Sequence, residues 1–150
     1  MAGGGVMISN ICPGCMMGVL ARILKDIKIP AGKKRCMFVP STDCFDGWHR
    51  EYFGAEHVVD DSADFASALK GAQLGSKGKH VIFGVAKGFD SCGGIEVIDV
   101  KLFGVRSVMQ AKAKIQTAVD AEKLFVVNFK NICYNESGMT AVEAIMRAAE

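Results

Sequence analysis

His80-Val81-Ile82-Phe83-Gly84-Val85-Ala86 is the stretch that decides the fold. Its apolar and small residues follow one another without polar alternation, so the segment predicts a strand buried on both faces. Such a strand belongs in the middle of a parallel sheet, with helices above and below it. Leu124 to Phe129 has the same character and predicts a second central strand. Cys36 to Val39, closed by Pro40, predicts a shorter one, and Glu56 to Val59 another. Ile95 to Phe103 reads equally as strand or helix.

Helical patterns lie between these runs. Val19, Leu20, Ile23, Leu24 and Ile27 recur at helical spacing and predict a helix over 14–28, stopped by Pro30 and Gly32. Ser62 predicts the N-cap of a helix over 63–74, rich in small residues that let it lie close to a sheet. Ser107 with Gln110 reads as a capping box for a helix over 108–121, with Val108, Ala111, Ile115 and Val119 inward. Thr140 with Glu143 caps a last helix, with Val142, Ile145 and Met146 on one face. Strands alternating with helices predict an α/β fold in three layers: a mostly parallel sheet with helices on both faces. At 150 residues the chain is expected to form a single domain, 1–150.

Composition excludes several function classes. Half of the residues are hydrophobic, mean hydropathy is +0.23, and the chain is therefore expected to be globular. A net charge of +2, with its basic residues scattered, argues against nucleic acid as a partner. The run Lys33-Lys34-Arg35 reads as a solvated loop. No segment reaches the roughly 18 consecutive apolar residues of a membrane helix. Val6 to Ile11 is too short, and lacks the basic leader, for a signal peptide. The expectation is a cytoplasmic protein, in which six cysteines are more often thiols or ligands than disulfides.

In a parallel α/β sheet, ligands sit beyond the carboxyl ends of the strands. The loops at 40–54, 86–94 and 130–139 are the expected site. Cys12-Pro13-Gly14-Cys15 opens the first helix, and Cys44 follows the strand after it. Two thiols at a helix N-terminus and a third beside a strand end suit a soft metal, above all an iron–sulfur cluster. The fourth ligand would be Cys92 on the Gly-rich loop, then Cys133, or a residue of a partner; Cys36, inside a strand, reads as core. The bland alternative is a redox-active or buried thiol pair. Lys87 to Gly94 reads either as a tight turn or as an anion pocket, in which Gly88, Gly93 and Gly94 expose backbone N–H groups beside the Lys87 ammonium. Trp48, His49 and His57 read as packing residues, and no Ser–His–Asp pattern or acid–base carboxylate pair is present.

The ordered set of motifs resembles the β subunit of 2-oxoacid:ferredoxin oxidoreductases, a thiamine-diphosphate family. Cys12 to Cys15, with Gly18 and Arg22 behind, is similar to that family's N-terminal Cys-Pro-Gly-Cys helix. Phe38 to Cys44 resembles its strand and third cluster cysteine, and His57 with Phe65 to Ala72 its His-containing loop and small-residue helix. Val81 to Gly88 stands in the place of its Gly-Asp-Gly turn, and Phe125 to Tyr134 resembles the second half of its diphosphate–metal motif. The resemblance implies a thiamine-diphosphate-binding-like fold, a [4Fe–4S] cluster, a magnesium-held diphosphate, and ferredoxin or another subunit as partner.

Under that resemblance Cys12, Cys15, Cys44 and Cys92 are the expected metal ligands. Lys87, Gly88, Asp90, Asn131 and Cys133 are the expected cofactor-binding residues. The chain departs from the family where Lys87 stands at the magnesium-ligating Asp. It also ends before the region that carries the family's fourth cluster cysteine. The expected function is an iron–sulfur-cluster-carrying subunit in a larger redox complex, without independent thiamine diphosphate binding. Two alternatives stand beside it: a thiamine-diphosphate-dependent subunit active with a partner, and a non-catalytic anion- or nucleotide-binding module with zinc or free thiols. Association with a partner subunit or as a homo-oligomer is expected in each case.

Overall fold

Every strand pairing among the described residues is parallel. The computed structural model describes residues 16–40, 55–59, 65–87, 94–131, 138 and 140–148. Along the chain these form α1 (Met17–Asp26), β1 (Lys34–Pro40), β2 (His57–Val59), α2 (Phe65–Ser76), β3 (His80–Lys87), β4 (Glu96–Val100), α3 (Val105–Asp120), β5 (Phe125–Phe129) and α4 (Ala141–Ala148). The five strands form one sheet in the order β2-β1-β3-β5-β4. The fold is α/β, as its sequence pattern predicts.

Alternation along the strands sends each sheet face into its own core. On one side Met37, Val39, Phe83, Val85, Phe125 and Val127 pack beneath α1 and α3, sealed by Leu20, Leu24, Ile115 and Val119. Phe83 and Phe125, register partners, stack there with ring centroids 5.1 Å apart. On the other side Phe38, Ile82, Ala86 and Val126 pack beneath α2 through Phe65 and Leu69. β3 is buried from Val81 to Ala86, as a central strand must be.

Gly84 is what lets α2 lie so close. A Cβ there would stand 2.7 Å from ring carbons of Phe65, well inside van der Waals contact. The short edge strand β2 is held to β1 by more than its ladder. The Glu56 carboxylate accepts from the Met37 N–H at 3.0 Å and from Arg35 Nη2 at 2.9 Å.

Four sequence expectations need adjustment. Of the run Lys33-Lys34-Arg35, read as a solvated loop, Lys34 and Arg35 open β1, and Arg35 is half-buried against Glu56. The helix expected over 108–121 begins at Val105, with Gly104 as its N-cap. Ser107 lies inside its first turn, buried, where its hydroxyl accepts from the N–H groups of Phe103 and Gly104 and donates to the Gly104 carbonyl. A serine that reaches back three residues looks like an N-cap in sequence, but here it sits on the third helical residue, and Gln110 takes no part in the cap. The ambiguous segment 95–103 is a strand only over Glu96–Val100. The first helix stops at Asp26, because Ile27 is already extended. The last helix starts as expected: Thr140 Oγ1 accepts from the Glu143 N–H, and the Thr140 N–H donates to the Glu143 carboxylate.

Candidate functional site

The carboxyl edge of the sheet is where the connections diverge. β1 sends the chain outward to β2, whereas its neighbour β3 sends it the opposite way, to β4 at the far edge. Adjacent strands whose connections part leave a crevice between their carboxyl ends, the usual ligand position in this architecture.

α1 also points its N-terminus at this edge. Its other end lies at the amino edge, where the Lys28 N–H donates to Gln116 Oε1 and Gln116 Nε2 to the Lys28 carbonyl, each at 2.9 Å. Lys33 pairs with Glu122 close by, just before the chain enters β5. A ten-residue helix is about 15 Å long, so Met16 and Met17 stand toward the opposite, carboxyl edge.

Of the described chain ends that meet this edge, four lead to cysteine-bearing segments: Met16 before α1, Pro40 after β1, Lys87 after β3 and Asn131 after β5. Every cysteine assigned to a site in the sequence belongs to a segment that starts from one of them. Cys12, Cys15, Cys44, Cys92 and Cys133 themselves lie outside the described residues, as do Gly88 and Asp90.

The two remaining predicted site residues are well defined. Lys87 is the last residue of β3, half-buried, and registers with Phe129. Alternation puts its side chain on the face of Phe83 and Val85, the α1/α3 side. Asn131 is buried, and its amide is closed on a single backbone unit: Oδ1 accepts from the Leu102 N–H at 2.8 Å and Nδ2 donates to the Leu102 carbonyl at 2.7 Å. It ties the end of β5 to the turn between β4 and α3.

A polar row on the α2 side escapes the sequence reading. Ala86, Asn128 and Asp99 are register partners across β3, β5 and β4. Asn128 is buried, and its Nδ2 donates to Asp99 Oδ1 at 3.0 Å. The signal was present: Asn128 is the single polar residue in Phe125-Val126-Val127-Asn128-Phe129. A polar side chain in a doubly buried strand must find a hydrogen-bond partner or a ligand.

Compared with protein-family models, with curated proteins and with solved structures, the chain matches none. Site chemistry therefore rests on the residues themselves. Among the described residues no group of three or more His, Cys, Asp or Glu side chains is placed to hold a metal ion. Cys36, in β1, packs against the α2-side core and is half-buried. Burial pushes its thiol above the ordinary range, Glu56 adds to that, and Arg35 opposes it. A thiol kept protonated is a poor nucleophile and a poor metal ligand. Among the described residues no helix is long and apolar enough to cross a membrane.

Proposed function

We propose that this chain is an electron-carrying subunit, related in design to the 2-oxoacid:ferredoxin oxidoreductase β subunit and sharing its thiamine-diphosphate-binding-like architecture. In this reading it holds an iron–sulfur cluster at the carboxyl edge of its sheet, on Cys12, Cys15 and Cys44, within a larger redox assembly. Cys133 or a partner supplies the fourth ligand. The observation that carries the reading is the meeting of four chain ends, Met16, Pro40, Lys87 and Asn131, on one edge of a wholly parallel sheet.

Reach supports it. Neighbouring strands are about 4.8 Å apart, so the ends of β1, β3 and β5 span about 10 Å. Cys44 follows Pro40 by four residues, Cys92 follows Lys87 by five and Cys133 follows Asn131 by two. At up to about 3.5 Å per residue, Cys44 and Cys133 can be brought to one point, whereas Cys92 stands only two residues before Gly94, which precedes the amino end of β4, and is too close to that opposite edge to join them. Thiolates are the right donors for such a cluster, whose bound chemistry would be one-electron transfer.

The residues present do not suit magnesium and a diphosphate. Lys87 brings a cation to the position where the resemblance calls for a carboxylate ligand, and an ammonium has no lone pair to offer. Asn131, the other implied ligand, already spends its amide on Leu102. This favours a subunit that does not bind thiamine diphosphate by itself.

Anaerobic purification with iron and sulfide analysis tests the proposal. The expected sample is brown, contains iron and acid-labile sulfide in equal amounts, and loses its visible absorbance in Cys12→Ser, Cys15→Ser and Cys44→Ser. A colourless, iron-free protein would overturn it, and zinc without sulfide would favour the anion-binding module.

A further inference from the structure

Three cations among the described residues are half-buried: Lys33, Arg35 and Lys87. Two of them face a carboxylate. Lys33 pairs with Glu122, and Arg35 Nη2 stands 2.9 Å from Glu56 Oε2. Lys87 pairs with no acid among the described residues. It ends β3, directly after six residues that are all buried. Partial burial strips a cation of part of its hydration, and such a charge is ordinarily matched by an opposite one. Both matched cations stand at the amino edge of the sheet, where β1 begins. Lys87 stands at the carboxyl edge.

We infer that Lys87 is the counter-charge of the proposed cluster and raises its reduction potential; the inference rests on the cluster reading above. β3 lies between β1 and β5, and the chain ends after these two neighbours lead to Cys44 and Cys133. Alternation directs the Lys87 side chain to the face of Phe83 and Val85, the face that α1 covers. α1 turns its N-terminus to the same edge, and Cys12 and Cys15 precede that N-terminus. Lys87 therefore shares its edge with all three segments that carry the proposed ligands, and its face with α1. An ammonium has no lone pair, so Lys87 is not itself a ligand. It acts on the cluster through its charge.

A thiolate-ligated cluster is anionic, and reduction adds one electron to it without making or breaking a bond. The electron comes from a one-electron carrier of the ferredoxin class in the assembly. In vitro it comes from dithionite, which is oxidised to sulfite. A fixed positive charge nearby favours the reduced form and so raises the potential. A unit charge within about 10 Å, at an effective dielectric constant of about 20, changes the ratio of reduced to oxidised cluster by about tenfold. For a one-electron couple that is about 59 mV. A carboxylate at the same position would act in the opposite sense.

Potentiometric titration of the anaerobically purified full chain with dithionite, followed by visible absorbance, tests the inference. Lys87→Met removes the charge and nearly keeps the length of the side chain. Its iron and sulfide content should equal that of the wild type, and its reduced-to-oxidised ratio at a fixed potential should fall about tenfold. Lys87→Glu should fall by about tenfold more, since it reverses the charge. Lys87→Arg keeps the charge and should titrate like the wild type. A packing role for the side chain would not order the three variants by charge. Iron-loaded Lys87→Met and Lys87→Glu with the wild-type potential would overturn the inference and leave the cluster reading standing. A wild type without iron would overturn both.

Discussion

The two faces of the sheet are closed by different means. The α1/α3 side is covered by two helices and filled with large side chains that meet end to end, the Phe83–Phe125 stack at its centre. Among the described residues the α2 side is covered by α2 over β1 and β3, and contact there depends on a missing side chain, at Gly84. Toward β5 and β4 that face turns small and polar, through Ala86, Asn128 and Asp99. One side is filled with apolar side chains across the sheet. The other gives up apolar burial next to the edge where the candidate site lies.

The contrast is most easily broken on the sealed side. Phe83→Ala removes a fully buried ring from a face with no freedom to collapse, and is expected to cost about 3–5 kcal/mol in urea unfolding. A loss under about 1 kcal/mol would mean that this side is loosely packed. On the α2 side, Gly84→Ala is expected to cost about 1–3 kcal/mol by overpacking against Phe65. The double variant Gly84→Ala, Phe65→Leu should recover part of that loss, since the two positions share one contact. Additive effects would refute the close-approach account of α2.

At the rim, Asn131→Leu leaves the Leu102 N–H and C=O without their partners and should cost roughly 1–3 kcal/mol. If the residue instead serves a bound ligand, the loss will appear only when the ligand is present. The smallest effect is a pH dependence from Cys36. Its folded thiol holds its proton more tightly than the unfolded one, so the unfolded chain ionises first as pH rises. Above about pH 8.5 the wild type should lose stability that Cys36→Val retains, and below it the two should run parallel. Melting temperatures of both proteins between pH 7 and 10 check the sign.

Much of the fold was legible one segment at a time. The uninterrupted apolar runs around Phe83 and Val126 announced buried parallel strands, because only a strand covered on both faces can dispense with polar alternation. The Thr140–Glu143 cap was readable for the same local reason: both partners lie within one turn. Ser107 misled because a back-bonding serine and an N-cap serine share a sequence signature and differ only in backbone conformation. Of the candidate site, the thiols and Lys87 were visible as residue types. The closure of Asn131 on Leu102 and the pairing of Asn128 with Asp99 each join residues 29 positions apart, which no local pattern encodes.

Sequence by itself therefore determined the alternation of strand and helix, the doubly buried character of the central strands and the supply of thiols. These follow from hydrophobic period and side-chain chemistry, which act over a few residues. Tertiary structure alone decided the order β2-β1-β3-β5-β4, and with it the divergence of β1 and β3 that opens a crevice at one edge. It also decided which apolar stripes went inward and which, on α3 and α4, stayed in water. Those outcomes depend on which distant surfaces meet, and burial free energy rewards only surfaces that do.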